Sequence, residues 1–395
     1  MDPETDIKHV LLTPSWYPDQ RLPHVGTFFR EQAQMLKDAG YKVGVVALDS
    51  PLSPLRWDLR LKIAEEDGIT VIRSKIPQVM WRGLPGDATI SKFVSQRALK
   101  KYEEINGRPD IVHAHSVFPG IYTAATASRL WGVPYVLTEH RPSSLDRPRN
   151  SARGKSITKA VQAANGLAVV SKPFADLLAK HYGTGQWNVI ALPVLDNQSD
   201  QPLPQLKDGE TYSFCHVSHC DDNKRVDMTM RAFAKMHQVI PNTTLTIVGC
   251  FGKVMEALNG LRGELGIDDS VTLIPRQPRE KIAGILSKAH CFVLASAVEA
   301  GGTVFAEAQM AGLPCIGTKT FAGKFMIEPE TGIQVPVDDE DALTKSMIDM
   351  ARDRHNKFRP ADIRKRAKER FSEKTFVEAN TDFYNSALRD YTAKK

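Results

Sequence analysis

No run of apolar residues in this sequence approaches the roughly 18 that a membrane-spanning helix needs. It opens on MDPETDIKHV, which is acidic and polar where a secretory leader would be basic and then apolar. A cytoplasmic protein with neither anchor nor leader is expected. Three motifs are also missing: G-x-S-x-G, the P-loop and G-x-G-x-x-G. Their absence weakens hydrolase, kinase and dehydrogenase readings. Cysteine is scarce, with five in 395 residues, all in the second half and most within strand-like runs such as TIVGC, CFVLAS and LPCIGT. That usage fits reduced thiols in a cytosol. Charge does not run to one sign either, since 52 Lys and Arg face 46 Asp and Glu for a net +6.

Two cysteines and two histidines do cluster in CHVSHC, Cys215 to Cys220. Such tracts often hold zinc. The run TYSFCHVSHC, however, is rich in aromatic and β-branched residues and reads as a buried strand. Alternation along a strand puts Cys215 and His219 on one face and His216 and Cys220 on the other. Four side chains so divided cannot converge on one ion, and no metal is expected.

The positive charge is placed unevenly. One basic run comprises Arg73, Lys75, Arg82, Lys92, Arg97, Lys100 and Lys101; a second comprises Arg141, Arg147, Arg149, Arg153, Lys155 and Lys159. These are either solvated faces or a surface for an anionic acceptor or an anionic membrane leaflet. No nucleic-acid motif or interleaved aromatic stripe accompanies them, so nucleic acid is not an expected partner.

At 395 residues the chain exceeds what one core normally serves, and two domains are expected. In the first half the apolar runs HVLLTPSW, YKVGVVALD, DIVHAHS, PYVLTEH, GLAVVSK and NVIALPV alternate with amphipathic segments. Near-continuous apolar strands separated by helices imply a parallel sheet covered on both faces. The aperiodic DNQSDQPLPQLKDGE then reads as a linker. A second α/β set follows: TYSFCHVSH, TTLTIVGC, SVTLIPRQ, CFVLAS, PCIGTK and GIQVPV. The expected boundaries are 1–197, 198–365 and a closing helical segment over 366–395. Ligands of such sheets bind at the carboxyl ends of the strands, so a cleft between the halves is the expected site.

The most informative window is CFVLASAVEAGGTVFAEAQMAGLPCIGT. It reads as strand, loop, a helix over 303–311 and strand. Gly301 and Gly302 permit close backbone approach, and the first-turn amides of the helix lack internal partners, which suits a phosphate. Glu299 lies on the loop and Glu307 one turn into the helix, on the side of Thr303. Beside phosphates, a glutamate is better placed on hydroxyls, and one carboxylate accepts both hydroxyls of a ribose cis-diol. The pair suggests a sugar nucleotide, the bland alternative being a solvated Glu299 and a Glu307 favoured by the helix dipole. The acids of DDED, Asp338 to Asp341, instead open the helix EDALTKSMIDM and read as a cap rather than a metal site.

The spacing Glu299-x7-Glu307 with its tail EAQMAGLPCIGT resembles the E-x7-E motif of family 4 retaining glycosyltransferases of the GT-B fold, and the likeness extends along most of the chain. The resemblance implies two Rossmann-like domains facing each other across a cleft. It also implies a metal-independent enzyme without cofactor, moving a sugar from a UDP- or GDP-sugar to a hydroxyl of a glycan or lipid-linked acceptor. Under it, Glu299 lies by the transferred sugar, Glu307 binds the ribose, and amides around Gly302, Thr303 and Val304 meet the diphosphate. Lys224, in DDNKRVDMTMRAF, matches the lysine that pairs with the diphosphate. His219 stands where the family usually has an arginine, and is either a second phosphate ligand or a packed histidine. PSWYPDQRLPHVGTFFREQ resembles the N-terminal loop, with Gly26 near the donor or acceptor, and LIPRQP sets Arg276 near the base. HAHSVFPG and LTEHRPSS resemble the acceptor-side segments and offer His115, His140 and Arg141. Glu299, Lys224 and His140 are thus the candidate catalytic residues. Cell-surface polysaccharide or lipid-linked oligosaccharide assembly on the inner face of the membrane is the expected setting. A sugar-nucleotide epimerase and a non-catalytic sugar-binding protein are alternatives on the same fold.

Overall fold

The structure, a computed structural model, describes residues 7–22, 25–51, 56–77, 86–146, 151–207, 209–354 and 356–394. Arg82, Arg147 and Arg149 of the basic runs, and Asp208 of the expected linker, lie outside the described residues. The chain forms two compact units: Met1–Ile190 with Phe376–Lys395, and Ala191–Thr375. The corresponding expected boundaries were 197/198 and 365/366.

The first unit runs β1 (His9–Pro14), α1 (Thr27–Asp38), β2 (Lys42–Asp49), β3 (Asp58–Glu66), β4 (Ile69–Lys75), α2 (Gly86–Asn106), β5 (Ile111–His115), α3 (Gly120–Trp131), β6 (Tyr135–Glu139), α4 (Ala152–Gln162), β7 (Gly166–Val169), α5 (Lys172–Tyr182) and β8 (Asn188–Val189). Its sheet has the order β3-β4-β2-β1-β5-β6-β7-β8. β1, β5 and β6 are buried at every position, as a parallel strand covered on both faces must be. The sheet is not wholly parallel, which corrects the sequence expectation. β3 and β4 form an antiparallel hairpin at one edge, turned by Asp67 and Gly68, both at positive φ. Asp-Gly is the favoured pair for a two-residue hairpin turn, because both positions need left-handed backbone.

The second unit runs β9 (Tyr212–Val217), α6 (Val226–Val239), β10 (Thr243–Val248), α7 (Gly252–Glu264), β11 (Val271–Ile274), α8 (Arg279–Leu286), β12 (Cys291–Leu294), α9 (Thr303–Met310), β13 (Cys315–Thr318), α10 (Phe321–Met326), β14 (Gly332–Val335), α11 (Glu340–Asp353) and α12 (Pro360–Phe371). Its sheet, β11-β10-β9-β12-β13-β14, is parallel throughout. One face packs Tyr212, Phe214 and Leu245 against Phe233 and Met347; the other packs Cys215 and Phe292 against Phe305 and Phe371. α13 (Glu373–Ala393) follows a break at the extended Ser372. From Phe376 it belongs to the first unit, where Tyr384 is fully buried with its hydroxyl 2.8 Å from His113 Nδ1.

CHVSHC departs from expectation in two ways. β9 stops at Val217, so alternation holds for Cys215 and His216 but not for His219 and Cys220, which lie in the following turn. The thiols are also not all reduced. β9 and β10 are paired in register to Val217 and Val248, so the residues just beyond their ends are neighbours, and Cys220 forms a disulfide with Cys250 at a Cα separation of 5.1 Å. Cys215, Cys291 and Cys315 are free and buried. The acids of DDED act at the start of α11 as read: the Asp339 side chain accepts from Ala342 N at 2.9 Å.

Candidate active site

In the second unit the chemistry-bearing residues leave from the carboxyl ends of strands. After β9 the chain makes a short 3-10 turn, Asp222–Lys224, and after β12 it enters the loop that carries Glu299. Asn223 stitches these two loops together. Its Nδ2 donates to Val298 O at 2.9 Å, its Oδ1 accepts from Val298 N at 2.9 Å, and its carbonyl accepts from Ala297 N at 2.8 Å. The consequence lies one residue on. Lys224 Nζ reaches Glu299 Oε2 at 2.6 Å, with both side chains less than one-fifth exposed. In so sheltered a pair, removing either charge strands the other.

The loop then meets α9. Gly302 caps it at φ +60°, and a Cβ there would sit 2.8 Å from Ala322 Cβ. Only glycine adopts that backbone without strain in so little room. Among the described residues no side chain caps the helix, so the amides of Thr303 and Val304, in its first turn, remain available to a ligand. The far end is braced by α12, whose Arg364 donates to Met310 O at 2.8 Å and to Ala311 O at 3.2 Å. Phe305, fully buried, anchors the helix on the sheet.

Glu307 lies on α9 with only 8% of its surface exposed. Arg279, the first residue of α8, donates to its Oε1 at 3.0 Å. Burial pushes the Glu307 carboxyl above its ordinary range, and the Arg279 guanidinium pulls it back. His219 is exposed in the turn after β9, and Arg276 is exposed in the loop after β11. They leave from the ends of β9 and β11, the two strands that flank β10 in the sheet.

The first unit assembles His115, His140, Arg141 and Gly26. Glu139, at the end of β6 and fully buried, accepts from the backbone amides of Val117, His140 and Arg141, each at 2.8 Å. It thereby fixes the loops after β5 and β6. His115 Nδ1 lies 3.1 Å from His140 Nε2, and the His115 ring stacks on His113 at 4.0 Å. Burial pushes the His115 imidazole down to about 3 and His113 and His140 well below the usual range, so all three are neutral at neutral pH. His140 Nδ1 is enclosed without a hydrogen-bond partner among the described residues. The Arg141 guanidinium lies 4.1 Å over the Trp16 ring and donates to Phe118 O at 3.2 Å. Gly26, at φ +80°, lets α1 begin against Trp16, where a Cβ would meet the indole at 2.8 Å.

Sequence reasoning missed Asn223, Arg279, Glu139 and Trp16. Asn223 and Glu139 act through backbone groups, which composition does not reveal. Arg279 has one faint signal, its place just past a strand end, and nothing in its spacing points to a glutamate 28 residues on.

Two Rossmann-like units, one carrying a lysine and two glutamates around an uncapped helix start, define a GT-B glycosyltransferase. Residues 25–194 match the model of Glycosyltransferase Family 4, and residues 197–370 match that of glycosyl transferases group 1. The chain belongs to the family 4 glycosyltransferases. It is 25% identical over 315 residues to a D-inositol 3-phosphate glycosyltransferase of Pseudarthrobacter chlorophenolicus, which spans 75% of this chain and 74% of that protein. It is 29% identical over 145 residues to a GDP-mannose-dependent alpha-(1-6)-phosphatidylinositol monomannoside mannosyltransferase of Mycolicibacterium smegmatis, covering 35% of this chain and 38% of that one. Among solved structures, Anabaena HepE in complex with UDP and glucose superposes with a TM-score of 0.68 at 16% identity, over 95% of this chain and 98% of that one. Among the described residues no helix is long and apolar enough to cross a membrane.

Proposed function

We propose that this glycosyltransferase takes its sugar from a nucleoside diphosphate sugar bound by the second unit and passes it, with retained configuration, to a hydroxyl of a glycan or lipid-linked acceptor bound by the first. The observation that carries this reading is the constellation around α9: a glycine-led helix start with Lys224 and Glu299 at its mouth and Glu307 behind it. A diphosphate suits the amides of Thr303 and Val304 together with the Lys224 ammonium, and a ribose suits the Glu307 carboxylate. As the glycosidic bond breaks, the leaving diphosphate gains charge. Lys224 and the helix amides oppose that charge in a site already organised to receive it. No metal is needed in this scheme, and His219 and Arg276, on the loops after β9 and β11, are further candidates to contact the donor.

Lys224 and Glu299 hold each other at 2.6 Å, so donor binding exchanges that pair for one between Lys224 and phosphate and frees Glu299 for the sugar hydroxyls. In the first unit, His140 acts as a neutral imidazole that orients groups beside it, and Arg141, backed by Trp16, contacts the acceptor. The basic character of the first unit agrees with an acceptor at an anionic membrane surface and with assembly of cell-surface polysaccharide, on the cytoplasmic side. The relatives support a UDP- or GDP-linked donor, since HepE holds UDP and the mannosyltransferase is named for GDP-mannose.

The test is direct. Calorimetric titration of the protein, with EDTA present, against UDP- and GDP-sugars should yield one selective donor, and Glu307→Ala should weaken it on the order of tenfold or more. Unchanged donor affinity in that variant would remove the basis of the reading.

A further inference from the structure

Arg279 has no place in the scheme above, yet it makes the one ion pair that reaches Glu307 among the described residues. It sits at the first position of α8, immediately after Pro278, so its backbone is set by the end of β11 rather than by α9. The Arg279 side chain is about one-quarter exposed and the Glu307 side chain about one-tenth, so the pair is sheltered but still reachable from solvent. Only Oε1 of Glu307 is taken, at 3.0 Å. Oε2 accepts no bond from a described residue and is not sealed from solvent.

We propose that Arg279 is a positioning residue for the donor ribose: it holds one oxygen of the Glu307 carboxylate so that the other is turned to the pentose hydroxyls, and the site thereby selects ribose over deoxyribose. This rests on the reading that the donor ribose meets Glu307. The physical case has two parts. A carboxylate on a single-bonded stem rotates freely unless one oxygen is fixed, and an arginine donor fixes it at a set angle. A carboxyl buried as deeply as Glu307 also drifts toward its neutral form, which donates one hydrogen bond and accepts fewer, whereas a diol needs an acceptor for both protons. Arg279 answers both needs, and lysine in its place would answer only the second, because its ammonium lacks the planar fork.

The test compares Kd values for UDP and GDP with those for their 2′,3′-dideoxy counterparts, on the wild type, Glu307→Gln, Arg279→Gln, Arg279→Lys and the double variant Arg279→Gln/Glu307→Gln. Thermal unfolding of each variant confirms that it is folded. For the diphosphate that binds, the wild type should prefer the ribose form on the order of tenfold. Arg279→Gln and Glu307→Gln should each bring that ratio toward one while leaving dideoxy affinity unchanged. The double variant should be no worse than either single one, as expected of residues acting as a unit. Arg279→Lys should recover part of the ratio, and it carries the test alone should Arg279→Gln not fold.

If Glu307→Gln loses the preference while both Arg279 variants keep it, the proposal is overturned and the donor reading stands. A fall in ribose and dideoxy affinity alike in Arg279→Gln overturns it too, because Arg279 would then touch the base or phosphates directly. A gain in affinity does the same, by showing that Arg279 competes with the ribose. If the wild type binds neither diphosphate, or Glu307→Gln keeps the preference, the donor reading itself fails, and this proposal with it.

Discussion

Lys224 and Glu299 show how much of the site turns on single side chains. Each is less than one-fifth exposed, and each is the other's counter-charge at 2.6 Å. Lys224→Ala should therefore do more than remove a phosphate contact, because it leaves Glu299 sheltered and unpaired. The expected result is a fall in kcat/KM of about two to three orders of magnitude, carried mainly by kcat, with Lys224→Arg recovering part of it. Steady-state kinetics on the two variants checks this; a Lys224→Ala enzyme within a few-fold of wild type would show that the lysine plays no part in stabilising the leaving group. Glu299 was proposed from its place on the loop before a helix start, and Lys224 from the resemblance of DDNKRVDMTMRAF to the family's lysine-bearing loop. The sequence did not disclose that they touch, since their 75-residue separation is closed only by the adjacency of β9 and β12 and by the stitching of Asn223.

α9 shows why an element this short can carry a site. Its eight residues would not be helical alone; the helix persists because Phe305 and Ala306 are packed on the sheet and Arg364 satisfies carbonyls at its far end. The entry is fixed by Gly302, so Gly302→Ala is the informative change. A left-handed backbone costs a non-glycine residue about 1–2 kcal/mol, and the new methyl must also move against Ala322. The expected outcome is a stability loss of roughly 1–3 kcal/mol by denaturant titration, accompanied by a loss of donor affinity as the first-turn amides shift. A variant with both quantities unchanged would show that the helix start can relax freely. The bounds of this element were legible to within one residue at its far end, because glycine before it and Gly312 after it are strong punctuation. The β3–β4 hairpin was missed although Asp67-Gly68 is equally strong punctuation: β3, DLRLKIAEE, mixes charged with apolar residues and does not resemble the continuous runs elsewhere in that sheet.

At the scale of the whole molecule, the two-sheet plan was readable because parallel strands buried on both faces leave an unmistakable apolar signature. The Cys220–Cys250 bond was not, because cysteine counts and compartment arguments carry no information about which strand ends are adjacent. Histidine count was likewise silent on burial, and burial has a consequence for stability. His113, His115 and His140 in the first unit and His216 in the second are held neutral by desolvation, with His115 at about 3 and His216 at about 4. Their folded values lie below the unfolded value near 6.5, so the unfolded chain binds more protons as pH falls. Stability is therefore complete above about pH 6.5 and declines below it, by about 2 kcal/mol at pH 5 for each of His115 and His216, with His113 and His140 acting in the same direction. His9, lowered by burial as well, adds to this trend, while Asp49 and Glu307, whose carboxyls burial raises, act in the opposite sense. The unfolding midpoint should drop steeply between pH 7 and pH 5, and a flat profile there would show that these histidines are protonated in the folded protein.

The central claim is that the start of α9 grips a pyrophosphate while Glu307 takes the attached pentose. A crystal structure of the protein with its nucleoside diphosphate tests it most directly. The account predicts phosphate oxygens within hydrogen-bond reach of the Thr303 and Val304 amides and of Lys224 Nζ, with the ribose hydroxyls on Glu307. Nucleotide density at any other place in the chain, or a ribose turned away from that carboxylate, would contradict it.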